Sequence, residues 1–353
     1  MPVPLGLKRR LITVHRWVSL AMLLFWLSQA GSGAALIFHW ELNDALIETS
    51  AAAMPAEAAA LGAAIEALPA AAGEGWIFSS LWASGGTPGR FDINIENAGT
   101  DRSETIRVTG NGTVLRRLQD GMWIDEIVNF HHNFLAGEMG STIVGVSGLL
   151  LASNIILGVL LAWPGMTGLR RALAPAPAAT APARTFGRHR ALGLIVAVPA
   201  LLFVSCGVLM VFEDSVRGFL GGEPPALTAP AGPGTMKPAE ILGVALARFP
   251  DAALAAFLPP DEDTPYYVVR LRQPGELRRA FGKTTLEISG SGDILRVYEP
   301  GQGPWTRTLA DNFYPLHTGE AGGLFGRLVA MATGLGLLTV IWFGLRLWWL
   351  RRR

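Results

Sequence analysis

Four apolar segments, at residues 17–38, 141–163, 191–212 and 324–345, are each long enough to cross a bilayer core, which takes about 20 residues of helix. They predict an α-helical membrane protein, a four-helix bundle. Composition agrees, since half of the residues are apolar and only 16% are charged, against about a quarter in soluble domains. The first segment also has the outline of a signal peptide, with KRR before it and SQAGSGA near its end. Its apolar run exceeds the roughly 7–15 residues of such a leader, and it has a full-length counterpart later, so it reads as a span.

Basic residues set an orientation. Lys8, Arg9, Arg10 and Arg16 flank the first span, Arg170, Arg171, Arg184, Arg188 and Arg190 lie between the second and third, and Arg346 and Arg351 to Arg353 follow the fourth. All fall on one side, which the positive-inside rule makes cytoplasmic. Both termini are then inside, and the long connections, about 40–128 and 218–312, are outside.

The spans repeat. VHRWVSLAMLLFWLSQAGSGAALIF (14–38) reads like RHRALGLIVAVPALLFVSCGVLMVF (188–212), and each is followed by acidic residues, Glu41 and Asp44 or Glu213 and Asp214. NFLAGEMGSTIVGVSGLL (133–150) and PLHTGEAGGLFGRLVAMATG (315–334) share a Gly-Glu and then a Gly-rich apolar helix. Each half crosses twice and keeps its orientation, so the chain is predicted to be a parallel internal repeat with its pseudo-two-fold along the membrane normal. The expected order is span 1 at 11–39, an external module at 40–128, span 2 at 129–163, a cytoplasmic linker at 164–187, span 3 at 188–213, a second module at 214–312, span 4 at 313–347 and a tail at 348–353.

Both modules read as small α+β units. Residues 51–72 are Ala-rich and predict a helix; RFDINIEN, ETIRVTG and TVLRRL alternate with the period of strands, with the NG at 111–112 as a turn. In the second module PAEILGVALARFP predicts a helix, and YYVVRLR, KTTLEISG and DILRVYE predict strands. ALAPAPAATAPA (172–183) is a Pro/Ala linker. No Rossmann or P-loop signature occurs. The net charge of +1 gives no case for nucleic-acid binding. The single cysteine, Cys206, excludes an internal disulfide framework, a multi-cysteine zinc site and a conventional iron–sulfur cluster, and the lack of C-x-x-C-H excludes c-type haem attachment.

The six histidines, His15, His39, His131, His132, His189 and His317, all lie at or near the ends of spans. His15 and His189 occupy equivalent places near the cytoplasmic ends of spans 1 and 3. A planar metal cofactor on the pseudo-two-fold would take one axial ligand from each. On the outer side His317 needs a partner from span 2. Aligning Gly137-Glu138 with Gly319-Glu320 sets His317 opposite Leu135. If residues 131–135 are helical, His131 shares the face of Leu135 and His132 points about 100° away. His39 is 24 residues from His15, about 36 Å of helix, so the two cannot serve one small site. Plainer readings stand beside these. A lone histidine at an interface is ordinarily a polar anchor, the reading kept for His39 and His132. Arg16 and Arg190 fit haem propionates or positive-inside anchoring. Asn154 fits an interhelical hydrogen bond, Cys206 fits packing, and Trp76, Trp82, Trp123 and Trp305 fit a ligand surface or an aromatic belt.

Two bis-histidine haems stacked across a membrane make an electron conduit. Histidine also suits zinc or copper, although each end of the bundle offers too few ligands for structural zinc. An ion-coupled permease wants carboxylates at mid-membrane, and none of the spans carries one there. The order HRW…GSGAALIFHWEL, FHHNFLAGEMG, GRHRALG…GVLMVFED and PLHTGEAGG resembles the PepSY-associated transmembrane family (PiuB-like, iron-regulated membrane proteins) over nearly the whole chain, and GNGTVLRRL and GSGDILRVYE are similar to its small PepSY external modules.

That resemblance implies a bacterial inner-membrane protein with periplasmic PepSY-like modules, similar to di-haem b-type reductases of ferric siderophores or ferric iron. It implies haem ligands at His15, His189, His131 and His317. The chain departs from the family pattern at Phe130, at His132, where Arg is common, and at His39. The expected function is therefore a ferric-chelate reductase with two non-covalent bis-His b-type haems. Its electrons would come from a separate cytoplasmic flavoprotein or from quinol, and Trp123, Trp305 and Tyr314, near the outer haem, are candidates for touching the substrate. No side chain is assigned a catalytic role, because the redox chemistry belongs to the haem. The alternatives are a non-redox PepSY scaffold that regulates a periplasmic partner, and a siderophore or iron permease.

Overall fold

The computed structural model describes residues 5–46, 54–100, 102–119, 123–174, 180–220, 227, 236–302 and 305–352. In chain order, helices α1 (Leu5–Ala21), α2 (Leu23–Leu36), α3 (His39–Leu46) and α4 (Ala58–Ala72) lead into strands β1 (Trp76–Ala83), β2 (Arg90–Asn97), β3 (Ser103–Thr109) and β4 (Val114–Gln119). Helices α5 (Trp123–Asn133), α6 (Gly137–Ala162), α7 (Met166–Leu173), α8 (Ala181–Val211), α9 (Glu213–Leu220) and α10 (Pro238–Arg248) follow. Strands β5 (Ala253–Leu258), β6 (Tyr267–Arg272), β7 (Thr284–Ile288) and β8 (Ile294–Tyr298) precede α11 (Trp305–Asp311), α12 (Phe313–His317), a 3-10 turn at Glu320–Gly322 and α13 (Gly323–Leu350).

The chain divides into two compact units, one comprising Met1–Ile37, Glu126–Val216 and Phe313–Arg353, the other Phe38–Asp125 and Arg217–Asn312. In the helical unit, Gly137–Ala162, Ala181–Val211 and Glu320–Leu350 are long and apolar enough to cross a membrane. The first span is not one straight helix. It is α1 and α2, bent by 65° where Met22 leaves helical geometry, and counting this pair as one span gives four. Neither Pro nor Gly lies within a turn of the bend. The expected linker at 164–187 is largely helical, because α7 occupies its start and α8 begins at Ala181; residues 175–179 of that linker lie outside the described residues.

Contacts run α1 to α6, α6 to α8, α8 to α13 and α13 to α2, so α8 stands across the ring from α1 and α2. Small residues and polar bonds hold this ring, as expected where lipid supplies no hydrophobic contrast. Gly145 and Gly148 of α6 abut Phe212 and Val208, and Gly336 of α13 abuts Val196. Trp26 Nε1 donates to the Ser147 carbonyl at 3.2 Å, and Asn154 Nδ2 donates to Ser19 Oγ at 2.9 Å.

The second unit joins the α+β elements expected in the two modules. Its strands form one antiparallel eight-stranded sheet in the order β4-β3-β2-β1-β5-β6-β7-β8, so the halves meet along β1 and β5. All six predicted strands are present; β1 and β5, the two at the seam, were not predicted. Strand β1 carries a register shift at Phe78/Ser80 that breaks alternation, and β5 (ALAAFL) is buried on both faces, so neither shows the period of a half-buried strand. Helices α4 and α10 cover one face of the sheet, with Gly62 in contact with Ala239. A single core takes Leu61, Ile65, Ile93 and Ile106 from one half and Ile241, Phe257, Leu271 and Leu286 from the other.

Candidate functional site

His15 of α1 and His189 of α8 bring their rings to a centroid separation of 6.5 Å with 65° between planes. His189 Nδ1 is 3.0 Å from the carbonyl of Val340 on α13. His15 Nδ1 makes no hydrogen bond and lies beside Asn154 of α6. The neighbouring arginines turn to aromatic rings: Arg16 lies 5.4 Å from Trp17 and Arg190 lies 6.0 Å from Phe186. Among the described residues neither forms an ion pair with an acidic side chain.

A second pair forms from the outer candidates. His131 of α5 and His317 of α12 stand 6.2 Å apart between centroids, at 37°. His317 Nδ1 is 2.7 Å from the Phe203 carbonyl of α8, and His131 Nδ1 is 2.9 Å from Ser32 Oγ of α2. His132 is exposed, its ring 6.0 Å from that of His131. The register argument for the doublet does not apply as framed, because 131–135 is not continuous helix. Phe134 and Leu135 take positive φ of 51° and 60°, ending α5 before α6 begins. Such angles are uncommon outside glycine. Gly140 accommodates the turn, its missing Cβ leaving room for the Asn133 carbonyl, and Gly326 gives the same room to Gly319 after His317.

With metal–imidazole bonds of about 2.0–2.1 Å, two imidazoles that held one metal between them would have ring centres roughly 6 Å apart. Both observed separations match that. A ring nitrogen that faces a backbone carbonyl must carry the proton, which leaves the other nitrogen as the lone-pair donor. His189 and His317 are both set in this way through Nδ1. Ser32 Oγ already donates to the Ser28 carbonyl at 2.8 Å, so towards His131 it serves as an acceptor, with the same result. Each pair supplies two donors, and among the described residues no group of three or more His, Cys, Asp or Glu could hold a metal ion. The pairs lie at different depths. Phe203, which receives His317, is 14 residues along α8 from His189, about 21 Å of rise.

The remaining candidates are dispersed. His39 opens α3 in the other unit and stacks on Trp40 with centroids 3.9 Å apart. Trp82 contacts Phe281 and Arg270, Trp76 lies under Arg102, and Trp305 is 75% exposed. The side chain of Trp123 lies outside the described residues. Tyr314 sits on α12, three residues before His317, and Cys206 is buried in α8. Ser32 and Arg327 were not singled out from sequence. Buried Arg327 of α13 donates from Nε and Nη2 to the Ile37 carbonyl at 3.2 and 2.7 Å, capping the carbonyl end of α2.

A family model described as the PepSY-associated TM region matches residues 12–351, and the chain belongs to that family. No curated protein matches it.

Proposed function

We propose that this multi-pass membrane protein of the PepSY-associated TM region family is a di-haem b-type electron-transfer protein of the bacterial inner membrane. It would reduce ferric siderophores or other ferric chelates in the periplasm with electrons from a cytoplasmic flavoprotein or quinol. The observation that carries the reading is the pairing of histidines at two depths, with ring separations of 6.5 and 6.2 Å that would let each pair hold one metal between its imidazoles. On this reading His15 and His189 hold the cytoplasmic-side haem, and His131 and His317 hold the periplasmic-side haem. The spans form a parallel repeat with both termini cytoplasmic, as the distribution of Lys and Arg supports.

Bound there, haem supplies one-electron redox chemistry, with a potential tuned by its axial ligands and their hydrogen bonds. The chain's own groups hold and orient the ligands. The carbonyls of Val340 and Phe203 keep the proton on Nδ1 of His189 and His317, and Ser32 does so for His131. The apolar outer faces of the helices keep water from the bundle. Iron(III) in an oxygen-donor chelate would gain one electron and leave as the more weakly held iron(II).

Absorbance of protein purified from haem-replete cells tests the reading. The expected result is a Soret band and a dithionite-reduced α band at two haems per chain, reoxidised anaerobically by a ferric chelate. A haem-free preparation would overturn it.

A further inference from the structure

Each of the four histidines that pair rests on a glycine of a facing helix. A Cβ built on Gly33 would stand 2.9 Å from His131 Cε1, and one on Gly207 would stand 2.8 Å from His317 Cε1. A Cβ on Gly158 would stand 3.1 Å from His15 Cε1, and one on Gly344 would stand 3.3 Å from His189 Cε1. In all four cases Cε1 and Nδ1 are the two nearest atoms. Carbon atoms in ordinary contact are about 3.5–4.0 Å apart, so a methyl group on Gly33 or Gly207 displaces the ring, and one on Gly158 or Gly344 crowds it by a few tenths of an ångström.

The pattern follows the repeat in number as well as kind. Gly33 and Gly207 each lie 18 residues beyond the first histidine of their half, His15 and His189. Gly158 and Gly344 each lie 27 residues beyond the second, His131 and His317. Each half thus carries two histidines and two notches, and each notch receives the histidine of the other helix in the same half.

In the second half the carbonyl four before each glycine completes the seat. His317 Nδ1 meets the carbonyl of Phe203, four before Gly207, and His189 Nδ1 meets that of Val340, four before Gly344. For His131 the partner is instead Ser32, one residue before Gly33, whose Oγ lies 2.9 Å from Nδ1. His15 lies beside Asn154, four before Gly158. In a helix the carbonyl at i−4 already accepts from the N–H at i, and a ring from a facing helix comes closer to its second lone pair when the residue at i has no side chain. Glycine in a helix interior costs about 1 kcal/mol against alanine, so four glycines at these positions call for a compensating role.

We infer that Gly33, Gly158, Gly207 and Gly344 are positioning residues, notches that set the rotation of the four imidazoles so that Nε2 of each pair converges on a shared metal. This rests on the di-haem reading, and its test separates the two. Gly33→Ala, Gly158→Ala, Gly207→Ala and Gly344→Ala are compared with Gly193→Ala, a control in α8 where a Cβ meets nothing within 4 Å. The readouts are haem per chain, low-spin ferric EPR g-values and a potentiometric titration of the α band.

Gly33→Ala and Gly207→Ala should alter or delete one haem signal, Gly158→Ala and Gly344→Ala the other, and Gly193→Ala neither. Gly207→Ala should act more strongly than Gly344→Ala, following the two clearances. Because Gly33 and Gly207 test the same centre from different helices, loss of one variant to misfolding leaves the other. A haem-loaded wild type with unchanged signals in Gly33→Ala and Gly207→Ala overturns the notch assignment alone. A wild type without haem overturns the electron-transfer reading together with it.

Discussion

Leu81 of β1 stands opposite Phe257 of β5, both fully buried, in the short antiparallel ladder that joins the two halves of the sheet. The ladder also pairs Trp82 with Ala256, and Phe257 continues to Val269 of β6. One core therefore runs across the seam, and its halves should lose stability together. Phe257→Ala should cost about 3–5 kcal/mol through lost transfer energy and a cavity. Hydrogen exchange on the full chain is expected to show weaker protection in β2 and β3 as well as in β6 and β7. Loss confined to β5–β8 would mean that the halves are independent.

Arg107, fully buried on β3, bridges two carboxylates. Its Nη1 donates to Asp44 at 2.6 Å, Nη2 donates to Asp92 at 2.8 Å, and Nε also bonds Asp92. Burial alone would lower the pKa of this guanidinium, but the bond and charge of Asp92, with those of Asp44, more than offset it and hold the pKa above its ordinary value. Arg107→Ala removes the guanidinium from partly buried Asp92 and from buried Asp44, which keeps Thr87 N–H and Arg90, and should cost about 3 kcal/mol. Arg117→Ala removes a bond to Glu104 that is 40% exposed at the arginine, so it should cost about 0–1 kcal/mol. Thermal denaturation monitored by circular dichroism would rank them. Adding Asp44→Asn and Asp92→Asn to the Arg107 variant should recover part of the loss.

The membrane spans, the charge distribution and the six edge-ward strands were legible because each carries a local period or a local composition. The seam was not, since β5 has no alternation and β1 has its alternation broken by a bulge. Among the histidines, the proximity of His15 to His189 and of His131 to His317 could be anticipated from the repeat. The internal register could not. Aligning the Gly-Glu pairs offsets the halves by 182 residues, whereas the contacts of His131 and His317, of Gly140 and Gly326 and of Gly158 and Gly344 all use an offset of 186. The four-residue difference falls where α5 ends, at the positive-φ residues Phe134 and Leu135, so the Gly-Glu pairs are not equivalent positions of the two halves. The fixed spacings of 18 and 27 residues from histidine to glycine were the signal that would have found the notches.

If the pairs hold haem, single substitutions should divide the haem content by pair. His15→Ala and His189→Ala should each lose one haem and keep the other, whose ligands are His131 and His317. His131→Ala and His317→Ala should do the reverse. His132→Ala should retain both, because its ring is exposed and the His131 ring is the one that lies 6.2 Å from His317. Pyridine haemochrome assays with EPR of each variant provide the count and identify the centre lost. Loss of the outer haem in His132→Ala alone would reassign the ligand.

Ser32 offers a finer test of the same centre. Its hydroxyl accepts from His131 Nδ1 at 2.9 Å while donating to the Ser28 carbonyl at 2.8 Å, so it draws the imidazole proton towards itself. A ligand histidine whose other nitrogen donates to an acceptor is a more basic ligand, and a more basic ligand stabilises the ferric state. Ser32→Ala removes that acceptor without touching a metal-binding nitrogen. The outer centre should therefore shift to a more positive potential at unchanged haem stoichiometry, and the centre held by His15 and His189 should not move. A spectroelectrochemical titration of the α band resolves the two centres. A shift in the inner centre, or none in either, would mean that the Ser32–His131 contact does not set ligand basicity.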